Sequence, residues 1–143
     1  MQKHNEGVST MADYYVSTSV ADMTLNQGDC MYITKGGTAT RTTVQSQAEI
    51  TVLSGGDALY TTCSAWGKLI VSNGGFVRNA TLTRADIFVS SGGIAGLTTL
   101  LFYGRANILS GGLMNSTTVS SGGRLTSPPA ARPAIPLFSI LEH

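Results

Sequence analysis

Charged residues are scarce in this chain. Asp, Glu, Lys and Arg make up 12% of its 143 residues, and nine cations against eight acids leave a formal net charge of +1. No basic stripe is visible in the sequence, which argues against a surface built to neutralise nucleic-acid phosphates. Histidine is scarcer: His4 and His143 lie near the two ends, so neither a Ser-His-Asp arrangement nor a histidine metal site assembles on the body of the chain. No apolar run approaches the roughly 20 residues that a membrane-crossing helix needs. Carboxylates are also sparse. Asp57, Glu49 and Asp86 are the main candidates in the patterned region, and none is set out as the paired acids of a glycoside-cleaving site. The chain therefore reads as a non-enzyme, without cofactor or metal.

Glycine, by contrast, is abundant and ordered. Doublets occur at Gly36-Gly37, Gly55-Gly56, Gly74-Gly75, Gly92-Gly93 and Gly111-Gly112, in steps of 19, 19, 18 and 19 residues. A unit this small cannot bury its own apolar side chains, so the period implies stacked repeats. Four columns read as inward: Met31, Ile50, Leu69, Ile87 and Ala106; Ile33, Val52, Val71, Val89 and Ile108; Ala39, Ala58, Val77, Ala95 and Met114; Val44, Cys63, Leu82, Leu100 and Val119. The first two columns are two residues apart, which is strand alternation and not helical spacing. The doublets mark corners, where glycine permits positive φ or close backbone approach. They lack the strand-to-helix setting and the lysine of a phosphate loop.

Outward positions carry a second record of the register. Glu49, Lys68, Asp86 and Arg105 alternate in sign at one equivalent site, as expected if neighbouring parallel strands bring opposite charges side by side. Thr24, Thr43, Thr62, Thr81, Thr99 and Thr118 form a uniform hydroxyl row. Threonine suits any exposed strand; the row also fits an array that binds an ordered surface or receives sugars. A third outward column, Tyr32, Thr51, Ile70, Phe88 and Asn107, places the apolar Tyr32, Ile70 and Phe88 where solvent is expected, a pattern that marks a contact stripe. Cys30 falls outward and Cys63 inward, so no disulfide is expected between them.

The predicted architecture is all-β, a single-stranded parallel β-solenoid of about six coils of 18–19 residues. Residues 1–15 read as a leader or cap without a secretory signal, 16–127 as the solenoid, and 128–143 as a Pro-rich tail. In that tail Ile135, Leu137, Phe138, Ile140 and Leu141 cover the last coil, or the end derives from an expression tag. A sixth doublet, Gly122-Gly123, comes only 11 residues after the fifth, which suggests that the periodicity breaks there and the last coil is short.

The segments VLSGGDALYTTC, VSNGGFVRNATL, VSSGGIAGLTTLL and ILSGGLMNSTTV resemble the 19-residue repeats of AIDA-type autotransporter adhesin passengers. That resemblance implies a right-handed parallel β-helix at a bacterial cell surface or secreted. It also implies adhesion or self-association, with a host or bacterial surface protein or glycan as partner, and a glycosyltransferase acting on repeat Ser and Thr. The alternative expectation is a solenoid that binds ice or crystalline polysaccharide through the Thr row.

Overall fold

The computed structural model describes residues 11–120, 122–127 and 139–141. Each coil contains three short strands. In one coil they are Lys68–Val71, Phe76–Arg78 and Thr81–Thr83. Equivalent strands stack into three parallel sheets, giving a solenoid of about six turns with no helix among the described residues. Sheet A runs Asp13–Val16, Cys30–Ile33, Glu49–Val52, Lys68–Val71, Asp86–Val89, Arg105–Ile108 and Arg124–Thr126. Sheet B holds six strands from Ser19–Ala21 to Leu113–Asn115. Sheet C runs from Thr24–Leu25 to Thr118–Ser120 and gains Ser139–Leu141 at its edge. The rest of the C-terminal tail lies outside the described residues.

All four inward columns are buried, from Met31 and Ile33 to Met114 and Val119, and they form one continuous core. Tyr14 and Val16 extend it by one coil. No coil has a core of its own, so each apolar side chain is covered by its equivalents above and below.

Three kinds of corner separate the sheets. At the A–B corner the two glycines of a doublet serve different needs. The first has φ near +80° at Gly36, Gly55, Gly74, Gly92 and Gly111. The second has no room for a side chain: a Cβ on Gly93 would stand 2.6 Å from the carbonyl oxygen of Val71 in the preceding coil. The left-handed turn keeps the backbone hydrogen-bonded between coils. N–H groups just past the sheet A strands donate to the preceding coil, as Leu53 does to Ile33 O, whereas Gly36 donates to Gly55 O and Gly74 to Gly92 O, toward the following coil. The backbone ladder thereby continues around the bend.

The other two corners turn left-handed mostly without glycine, with Gly28 and Gly122 the exceptions at the C–A corner. At the B–C corner Asp22, Arg41, Tyr60, Asn79, Leu97 and Ser116 all have φ between 52° and 59°. Ser46-Gln47, Ala65-Trp66 and Phe102-Tyr103 do so in pairs at the C–A corner. Each left-handed non-glycine residue costs about 1–2 kcal/mol, offset by bonds such as Tyr60 N–H to Arg78 O at 2.9 Å. Arg84 turns its C–A corner alone. This locates the 18-residue step: one corner residue is missing, while Lys68↔Asp86 and Asp86↔Arg105 remain in register.

The sixth doublet belongs to this third corner. Gly122-Gly123 precedes Arg124–Thr126 as Tyr103-Gly104 precedes Arg105–Ile108, and Arg105 pairs with Arg124 at the full 19-residue spacing. The expected break in periodicity after the fifth doublet is therefore corrected: glycine has been used at a different corner of the next coil.

Candidate functional site

The hydroxyl row is in register along sheet C, with Thr24↔Thr43, Thr43↔Thr62, Thr62↔Thr81, Thr81↔Thr99 and Thr99↔Thr118 paired on neighbouring strands. Thr24 and Thr62 are exposed, and the other four are half-buried. The next outward rank on this face reads Ser64, Thr83, Leu101 and Ser120, so a second threonine row is not maintained.

A parallel row escaped the sequence reading. Thr42, Thr61, Thr98 and Thr117, each the first residue of a Thr-Thr pair, are buried at the B–C corner. The hydroxyl oxygens of Thr42, Thr61 and Thr98 find no hydrogen-bond partner among the described residues. The repeated Thr-Thr dipeptide was the available signal, and strand alternation gives it meaning: one member faces in, the next out.

On sheet A, Ile70 and Phe88 stand side by side, while Thr51 separates them from Tyr32. Tyr32, Ile70 and Phe88 are half-buried. Tyr15 adds an exposed ring to the same column, stacked on Tyr32 with centroids 5.1 Å apart. Besides Met11 and Tyr15, the large hydrophobic residues most open to solvent among the described residues lie at corners: Tyr60, Trp66, Leu97, Phe102 and Tyr103. Period-2 reasoning assigns no face to a corner residue, so this group was invisible to it.

Of the charge column, Asp86 and Arg105 close a pair at 2.7 Å, and Arg41 reaches Asp22 at the same distance on the B–C corner. The Arg41 hydrogen bond holds the Asp22 carboxyl below its ordinary value, and its partner guanidinium is raised in turn. Neither cysteine is poised to react. Burial pushes the Cys63 thiol up to about 12. Burial first, then the charges of Glu49 and Asp13, raise Cys30, which lines a recess with Met11, Gln27, Gly28, Gln47 and Glu49. Both thiols are free. Among the described residues, no group of His, Cys, Asp and Glu side chains is arranged to hold a metal ion. No helix there is long and apolar enough to cross a membrane.

A three-sided parallel solenoid that carries side-chain ladders on its faces is the architecture of an elongated repeat protein. Among solved structures, the chain is similar to a fragment of TibA, residues 55–350, whose crystal structure is of the form hyper-glycosylated by TibC catalysis. The TM-score is 0.64 at 28% identity, covering 84% of this chain and 52% of that one. The chain thus spans about half the length of the fragment it matches. This match extends the AIDA-type resemblance of the repeats from sequence pattern to three-dimensional structure. No protein-family model and no curated protein sequence matches the chain.

Proposed function

We propose that the chain is an adhesive module displayed at a bacterial surface or secreted, and that its repeat hydroxyls accept O-linked sugars. The observation that carries this reading is the similarity to a glycosylated solenoid fragment, together with serines held at accessible corners. Ser54, Ser91 and Ser110 each precede a glycine doublet and are exposed. The first glycine of the following coil leaves the Ser54 and Ser91 side chains room: a Cβ on Gly74 would meet Ser54 Oγ at 2.6 Å, and one on Gly111 would meet Ser91 Oγ at 2.5 Å. The half-buried threonines of sheet C are the less accessible acceptors.

Co-expression with a glycosyltransferase of the TibC kind tests the modification. Intact mass should rise in sugar-sized steps, and Ser54→Ala, Ser91→Ala and Ser110→Ala together should remove most of them. An unchanged mass in the parent chain overturns the acceptor role. For adhesion, the displayed chain should promote cell attachment or aggregation. If the sheet A stripe carries it, Ile70→Lys with Phe88→Lys abolishes it without unfolding the protein. Binding to an ordered lattice would instead be lost with Thr62→Tyr and Thr81→Tyr. Activity that survives both pairs of substitutions leaves neither face in the role.

A further inference from the structure

We propose that the C–A edge of the solenoid binds a linear acidic polysaccharide. On three successive coils this edge presents Trp66, Arg84 and the pair Phe102-Tyr103. Their backbones are tied rung to rung: Trp66 N–H donates to Arg84 O at 2.7 Å, and Arg84 N–H to Phe102 O at 3.1 Å. The aromatic side chains project into solvent, with Trp66 57%, Phe102 54% and Tyr103 65% exposed. All lie at left-handed backbone positions, where bulky side chains are uncommon, and their exposure repays none of that strain by burial. The ring of Tyr103 is seated on the next coil, where a Cβ on Gly122 would come within 3.0 Å of it.

The shortened corner shapes the edge between the aromatics. Arg84 alone spans a turn for which the flanking coils use two left-handed residues, so the corner is one residue shorter there, and its side chain is exposed. Arg41, Arg78 and Arg105 each have an aspartate partner. Arg84 has none among the described residues, nor do Lys68 and Arg124 on the adjoining edge of sheet A; of the two acids in that column, Asp86 is held by Arg105 and Glu49 stands in register with Lys68. The strip is positive although the whole chain is nearly neutral.

Aromatic faces stack on the C–H faces of sugar rings, and a free guanidinium receives a carboxylate in a fork. Trp66 and Tyr103 are equivalent positions, each two residues before its sheet A strand, and two coils of parallel strands place them about 10 Å apart. A glycan extended with two-fold symmetry presents the same sugar face at alternate residues, which suits platforms separated by one coil and leaves the intervening carboxylate over Arg84. A single nucleic-acid strand, whose bases are consecutive, would find no platform at the middle coil. This edge is separate from the sheet A stripe and the threonine row, and it deepens the adhesive reading by naming a ligand class.

Trp66 is the sole tryptophan, so its fluorescence reports directly on the site. Titration of the purified chain with polymannuronate should give a saturable change that weakens with salt. Neutral β-1,4-mannan should bind at least tenfold more weakly. Arg84→Gln should erase that preference, and Phe102→Ala with Tyr103→Ala should weaken binding at least tenfold, both with unchanged circular-dichroism melting. The inference is overturned if polymannuronate leaves the emission unchanged, if the folded variants bind as the parent does, or if a single-stranded oligonucleotide binds more tightly. Loss of polymannuronate binding with cell attachment intact removes this inference alone; binding without attachment removes only the adhesive reading.

Discussion

Asp86 and Arg105, on neighbouring strands of sheet A, form a two-pronged ion pair, Nε to Oδ1 at 2.7 Å and Nη2 to Oδ2 at 3.0 Å. Lys68, in register on the other side of Asp86, makes no ion pair among the described residues. The column of alternating charge is thus real in register but unequal in contact. Arg105→Gln should lower stability by about 1 kcal/mol, and Lys68→Gln should stay within about 0.5 kcal/mol. Urea denaturation at low and high salt separates them, because only the first loss should shrink as salt rises. Equal losses would contradict the contact assignment.

The two glycines of a doublet should differ in their tolerance of alanine. At Gly92 the penalty is the left-handed backbone, about 1–2 kcal/mol, since the nearest atoms belong to the flexible Asn73 side chain. At Gly93 a Cβ meets the Val71 and Ser72 carbonyl oxygens at 2.6 and 3.0 Å. Backbone cannot step aside, and a loss of roughly 2–4 kcal/mol is expected. Thermal melts that rank Gly92→Ala as the more damaging change would reverse the roles assigned to the two positions.

Thr61 is fully buried and its hydroxyl has no partner among the described residues. Replacing that hydroxyl with a methyl group should remove a desolvation cost, so Thr61→Val is expected to stabilise by about 1 kcal/mol. Thr62→Val, on the exposed row, serves as the control and should be near neutral. A stability loss in Thr61→Val by chemical denaturation would indicate that the hydroxyl is satisfied.

The cysteines predict an alkaline limit. Cys63 stays protonated in the fold until about 12, whereas its ordinary value is 9.0. An unfolded chain therefore releases this proton first, and the contribution of Cys63 to stability should be constant below about 9 and decline as pH rises from there towards 12. Cys63→Ala should flatten that decline. In parallel, a thiol reagent should modify one cysteine of the native protein, Cys30, and both after denaturation.

Much of the fold is legible in the sequence because strands announce themselves by burial. Ile50, Val52, Ala58 and Cys63 repeat at equivalent places in every coil, and those places determine three sheets and their register. The corners are less legible. Trp66 and Gln47 occupy equivalent left-handed positions without sharing polarity or size, since the turn constrains backbone angle and not side-chain chemistry. Gly122-Gly123 misleads for a related reason: the same residue type relieves crowding at two different bends. The exposed stripe of sheet A was readable as a column, but its half-burial depends on neighbouring strands covering each side chain, which no single column reveals.

The lone Arg84 corner also bears on how such chains diversify. One residue has been removed between Thr83 and Ala85, yet Asp86 faces Lys68 and Arg105 on the same rungs as elsewhere. Length at that bend is therefore decoupled from strand alignment. A gain or loss of residues there alters the outline presented to a ligand while the interior remains as it was, so this edge can change its specificity by insertion and deletion, coil by coil, without the compensating core substitutions that a globular domain would require.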